Sequence, residues 1–162
     1  MSGERSIELT VNGRAETVQV DPGETLLEVL RERLSLFGAR ESCGQGVCGT
    51  CTVLVDGRSV ASCVRLAVLS DGSSIETVEG LDASGHRHPL QDAFVTRFAF
   101  QCGFCTPGML MTAKELLDSN PRPTREEIRT HLAGNICRCG AYPELVDAVE
   151  AAAQLLADQP PR

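Results

Sequence analysis

From Ser6 to Val11 apolar and polar residues alternate, which places Ile7, Leu9 and Val11 on one face of a predicted strand. Asn12-Gly13 follows, a pair that reverses a chain because both residues tolerate positive φ. Glu16 to Val20 then predicts the returning strand, with Val18 and Val20 inward. After the turn Asp21-Pro22-Gly23, Thr25 to Leu34 carries Leu26, Leu27, Leu30 and Leu34 on one helical stripe. Thr52 to Val55 and Ser59 to Ser62 flank Asp56-Gly57 as a second hairpin, and a short strand is expected over Ser74 to Val78. Two hairpins around one helix predict a small α+β sheet domain over residues 1–80.

Periodicity stops over 81–89, LDASGHRHP, which reads as a linker. His86 and His88 are expected there as solvated loop residues, since no partner at ligand spacing lies nearby. Beyond it the period becomes helical. Leu90, Phe94 and Phe98 recur along a helix expected to reach Phe100. Thr106-Pro107 predicts an N-cap with Pro at the first helical position, opening a helix to Asp118 that Asn120-Pro121 stops. Thr124-Arg125-Glu126-Glu127 is a capping box before Ile128 and Leu132. Tyr142-Pro143 opens a last helix with Leu145, Val149, Ala152 and Leu156 as its buried stripe. Four helices predict a small bundle over 90–162, with 157–162 as a frayed tail.

Composition narrows the chemistry. Of 162 residues eight are cysteine and one is tyrosine, and tryptophan is absent. Halves of about 80 residues bury modest cores and lean on staples or metals. The net charge of −7 is the wrong sign for gripping nucleic-acid phosphates. No apolar run reaches the roughly 18 residues of a membrane span. The opening MSGERSIELT lacks the basic-then-apolar pattern of a secretory signal, so a cytoplasmic chain is expected. Reducing compartments keep thiols free, which points the cysteines to metal or redox chemistry.

The cysteines form two quartets, one per half. Cys43, Cys48, Cys51 and Cys63 follow C-x4-C-x2-C, then eleven residues, then C, the plant-type [2Fe–2S] ligand pattern. Wrapping a two-iron, two-sulfide core asks the backbone to aim N–H groups at sulfur, and Gly44, Gly46 and Gly49 supply the positive φ this needs. Zinc is the rival occupant. Gly44 to Gly49 also matches G-x-G-x-x-G, but without the strand before it and the helix opening within it that a dinucleotide site requires. The second quartet is Cys102, Cys105, Cys137 and Cys139: C-x2-C, 31 residues, then C-x-C. Helix ends in a bundle can bring such pairs together, and helix N-termini after Cys105 and Cys139 would face an anionic group. From spacing alone, a cluster and a four-cysteine zinc site both remain open here.

The segments ESCGQGVCGTCTVLVDG, QCGFCTPGMLM and GNICRCGAYPELVDAV resemble the small iron–sulfur subunits of the molybdenum hydroxylases, the xanthine oxidase and carbon monoxide dehydrogenase-like family. The resemblance runs over about residues 5–155. It implies an N-terminal β-grasp, ferredoxin-like domain followed by a C-terminal four-helix bundle, each with one [2Fe–2S] cluster. It implies two partners, a large subunit that binds molybdopterin and a medium subunit that binds FAD, in a heterotrimer or a dimer of heterotrimers. Carried over by residue, Gln101 and Cys139 face the pterin. Arg138 either donates to sulfur, pairs with a partner or is plain surface. No catalytic residue is expected on this chain, which would pass electrons for a complex acting on aldehydes or N-heterocycles such as purines. A stand-alone ferredoxin-like carrier and a zinc-stabilised binding module are the alternatives.

Overall fold

The computed structural model describes residues 3–82 and 85–157. The expected tail beyond Ala157, and Ala83 and Ser84 of the expected linker, lie outside them.

β1 (Arg5–Val11) and β2 (Arg14–Val20) pair antiparallel, with Arg5 opposite Val20 and Val11 opposite Arg14. Asn12 and Gly13 stand at φ 50° and 79°, the two positive values that a two-residue reversal of right-twisted strands demands. β3 (Thr52–Val55) and β4 (Arg58–Ala61) form the second hairpin around Asp56-Gly57. β5 (Ser74–Glu76) joins the two hairpins, parallel to β1 and antiparallel to β3, so the sheet runs β2-β1-β5-β3-β4. The expected helix after β2 begins as α1 (Leu26–Glu28), capped by Thr25, and continues as a π-helical turn, Val29–Arg33. Its Leu26, Leu27, Val29 and Leu30 bury against Ile7, Leu9, Val11, Val18, Val20, Val53, Val55 and Ile75.

The helical half contains α2 (Pro89–Thr96), α3 (Thr106–Ser119), α4 (Arg125–Leu132) and α5 (Tyr142–Ala157). α2 is shorter than its spacing suggests. Phe98 takes φ 54°, which reverses the chain, and the Ala99 N–H returns to the Phe94 carbonyl to close the helix end. Phe98 is therefore 78% exposed rather than stacked under Phe94. His88 is not a plain loop residue: its Nδ1 accepts the Leu90 N–H and caps α2. The N-cap of α3 is Cys105 rather than Thr106, which sits one place inside the helix.

β3 is buried along its whole length, because it is covered on both faces. Val53 and Val55 enter the sheet core, while Leu54 points the other way and joins Leu90, Phe94, Met109, Ile128 and Leu145 in the helical core. Burying a leucine of this kind contributes about 1.5–3 kcal/mol. α3 lies across β3, so the two halves share an apolar seam.

Candidate metal centres

The first quartet sits on the irregular loop before β3, completed by Cys63 just after β4. Gly44, Gly46 and Gly49 stand at φ 62°, 73° and 68°, the positive values that a loop wrapped with its N–H groups inward requires. The turned backbone aims N–H groups at sulfur, with Gln45 N 3.4 Å from the Cys43 Sγ. The N–H groups of Gln45 and Val47, then the Cys48 thiol and its N–H, hold the Cys43 thiol down to about 6. Burial, reinforced by the Cys51 thiol beside it, pushes Cys63 up to about 11. Cys43 thus stands with Cys48, and Cys51 with Cys63. Cys48 and Cys51 are buried, and Cys43 and Cys63 half-buried.

The second quartet joins two helix connections. Cys102 and Cys105 close the α2–α3 connection, and Cys137 and Cys139 lie between α4 and α5. The Cys102 and Cys139 sulfurs are 3.6 Å apart. Cys105 pairs with Cys137; burial, then that neighbouring thiol, pushes Cys105 up to about 12. Burial also pushes Cys137 upward, but the Ala141 N–H, the Cys105 thiol and the N–H groups of Cys139 and Gly140 outweigh it, so this thiol lies below its ordinary value. The Phe104 N–H and the Cys139 thiol draw Cys102 down as well.

Each quartet therefore stands two and two. Among the described residues, no three His, Cys, Asp or Glu side chains close on one ion position. A two-iron, two-sulfide core takes a pair of thiolates at each iron, whereas a zinc ion draws all four thiolates to about 2.3 Å of one point. The N–H groups aimed at sulfur suit an anionic cluster. The Thr106 hydroxyl next to Cys105 is buried without a partner, so a donor is left over beside the second quartet. The residues fit [2Fe–2S] groups at both places.

Gln101 is exposed, and its Nε2 donates to the Cys139 carbonyl at 3.4 Å, so Gln101, Cys102 and Cys139 share the open rim of the second quartet. Arg138 is exposed. Other supports carry no mark in the cysteine spacing. The Tyr142 hydroxyl accepts the Cys137 N–H at 2.9 Å. Arg40 donates to the Gly103 carbonyl at 2.9 Å, and its guanidinium lies 5.5 Å from the Phe104 ring centroid. Asn135, 6% exposed, donates to the Gly49 carbonyl at 3.0 Å. Tyr142 was findable as the one tyrosine, three residues past the C-x-C. Nothing in the sequence says where Arg40 or Asn135 points.

Two family models cover the chain in order: a 2Fe-2S iron-sulfur cluster binding domain over residues 9–78, and a [2Fe-2S] binding domain over 77–150. The nicotine 6-hydroxylase small subunit of Paenarthrobacter nicotinovorans is 52% identical over 143 residues, 88% of this chain and 86% of that one. The nicotinate dehydrogenase small FeS subunit of Eubacterium barkeri is 44% identical over 153 residues, 94% of this chain and 98% of the other. A chain of the solved quinoline 2-oxidoreductase from Pseudomonas putida 86 superposes with a TM-score of 0.92 at 45% identity, over 96% of this chain and 98% of that one. The paired thiols, the two-part fold and these likenesses agree, and the chain belongs to the iron–sulfur subunits of the molybdenum hydroxylase family, the electron-transferring and non-catalytic part of an oxidoreductase complex.

Proposed function

We propose that this chain binds two [2Fe–2S] clusters, one on Cys43, Cys48, Cys51 and Cys63 and one on Cys102, Cys105, Cys137 and Cys139. Through them it carries electrons singly from a molybdopterin-bearing large subunit to a medium subunit holding FAD, in a cytoplasmic heterotrimer or a dimer of heterotrimers. The observation that carries this reading is the two-by-two pairing of thiols in both quartets. A [2Fe–2S] group supplies a one-electron store at each quartet when bound.

The chain's own residues do the rest. Backbone N–H groups of Gln45, Val47 and Cys48 stabilise negative charge at one quartet, and those of Phe104, Ala141 and Gly140 at the other. The buried Cys48, Cys51 and Cys137 keep water from one side of each site. At the rim, Gln101 offers an amide that both donates and accepts, and with Cys139 it forms the side from which a pterin would approach. The substrate of the complex is an aldehyde or an N-heterocycle such as a purine. The nicotine, nicotinate and quinoline enzymes among the relatives support the heterocycle side.

Metal and sulfide analysis of the purified complex tests the assignment. About four irons and four acid-labile sulfides for each copy of this chain are expected, together with two EPR signals on reduction. Zinc without sulfide, or half that iron, overturns it.

A further inference from the structure

The two quartets meet at one backbone contact. The Ile136 N–H donates to the Cys48 carbonyl at 2.9 Å, and Ile136 precedes Cys137. A ligand of the first quartet is thereby joined to a ligand of the second through one hydrogen bond. The rest of the route is covalent, within Cys48, Ile136 and Cys137. Cys48 and Cys137 are 9% and 7% exposed, the most enclosed corner of the pair of sites except for Cys51.

The surroundings hold that contact closed. Asn135 lies just before Ile136, and its Nδ2 donates to the carbonyl of Gly49, the residue after Cys48, at 3.0 Å. The two consecutive carbonyls of Cys48 and Gly49 are thus gripped by the two consecutive residues Asn135 and Ile136. Thr112 on α3 stands behind: its hydroxyl lies 3.0 Å from Asn135 Oδ1 and 3.0 Å from the Gly108 carbonyl, with one proton to give. The backbones come this close because Gly49 and Gly108 face each other without side chains. A Cβ on Gly108 would collide with the Gly49 carbonyl, and one on Gly49 would stand 2.5 Å from Asn135 Nδ2.

We infer that the Cys48–Ile136 hydrogen bond is the route by which an electron crosses between the quartets, and that Asn135, oriented by Thr112, is its positioning residue. This rests on the two-cluster function proposed above. One electron leaves the centre on Cys102, Cys105, Cys137 and Cys139, which is oxidised by one. The same electron enters the centre on Cys43, Cys48, Cys51 and Cys63, which is reduced by one, and no proton moves. The Asn135 side chain bonds to the Gly49 carbonyl and the Thr112 hydroxyl rather than to a ligand sulfur; it acts by fixing the gap that the electron crosses.

The test uses the assembled complex with Asn135→Leu and with the milder Thr112→Val. Iron and sulfide are measured first, then the magnetic coupling between the two reduced centres by pulsed EPR. The rate at which a photo-injected electron equilibrates between them is measured last. Both variants are expected to keep both centres, with weakened coupling and severalfold slower equilibration, Asn135→Leu more than Thr112→Val. Unchanged coupling and rate in either fully loaded variant overturns the inference while leaving the two-cluster function standing. A parent complex without two centres overturns both. If Asn135→Leu does not assemble, Thr112→Val decides alone, since valine keeps the shape of threonine.

Discussion

Tyr142 shows how much of the second quartet's arrangement rests on residues other than its cysteines. Its hydroxyl accepts the Cys137 N–H at 2.9 Å, in a connection that has no ladder to satisfy that donor. Tyr142→Phe keeps the ring and removes the acceptor. A partly buried N–H left without its partner costs on the order of 1 kcal/mol. Denaturant unfolding of the variant should shift by that amount. The EPR signal of the centre on the helical half should change shape while the other stays as it was; equal change in both signals would contradict a local role. Cys43, Cys48, Cys51 and Cys63 were legible as candidate cluster ligands because their spacing is the plant-type pattern, whereas Cys102, Cys105, Cys137 and Cys139 needed the family resemblance, since their spacing suits zinc as well. Tyr142 was legible as the one tyrosine and as a helix opener but not as an acceptor, since a backbone N–H at a loop carries no sequence mark of who must accept it. Phe98 misled for the opposite reason. It continues the apolar period of α2, yet it adopts φ 54° and ends the helix, and no local propensity favours phenylalanine in that conformation.

Among the elements, those whose ends are written in side-chain chemistry are the most legible. In α4 the Thr124 Oγ1 accepts the Glu127 N–H at 3.2 Å and the Glu127 carboxylate accepts the Thr124 N–H at 2.6 Å, the reciprocal box that Thr-x-x-Glu announces. Removing it with Thr124→Ala should lower stability by about 1 kcal/mol, seen as a lower melting temperature with unchanged iron content. A neutral result would mean that packing of Ile128 and Leu132 alone holds the helix. The hairpins were equally plain, because Asn12-Gly13 and Asp56-Gly57 demand positive φ and have it. α3 was harder. Thr106-Pro107 reads as cap and first residue, but the cysteine connection governs where the turn begins, so Cys105 takes the cap position and the Thr106 hydroxyl is left without a partner. The stripe after β2 marks the right buried leucines, yet its hydrogen bonds widen to the π pattern, with the Leu34 N–H reaching the Val29 carbonyl. Burial follows the periodicity; the bonding pattern within the turn does not.

At the scale of the whole molecule, the seam between the halves was the least legible feature, since it depends on side chains far apart in sequence. Leu54 looks like any strand residue, and only the second layer over β3 explains why all of Thr52–Val55 is buried. The polar part of the seam centres on Glu115 of α3. Its carboxylate accepts the Ser59 N–H of β4 at 3.0 Å and meets His131 Nε2 of α4 at 3.1 Å. The neighbouring Lys114 reaches Glu76 of β5 at 3.3 Å. Burial pushes the Glu115 carboxyl up, but the Ser59 N–H and His131 together outweigh it and hold its pKa below the ordinary value. A carboxyl depressed in the folded state binds its proton more readily when unfolded. Its contribution to stability is therefore complete above the ordinary carboxylate value and is lost as pH falls through the depressed one. Glu115→Gln keeps an acceptor for Ser59 but never carries charge. The melting temperatures of parent and variant should differ most at neutral pH and converge on acidification, as protonated Glu115 becomes as neutral as glutamine. A gap that stays constant from neutral pH through the carboxylate range would mean that the seam is held by Leu54 and its apolar neighbours, with the Glu115 charge contributing nothing.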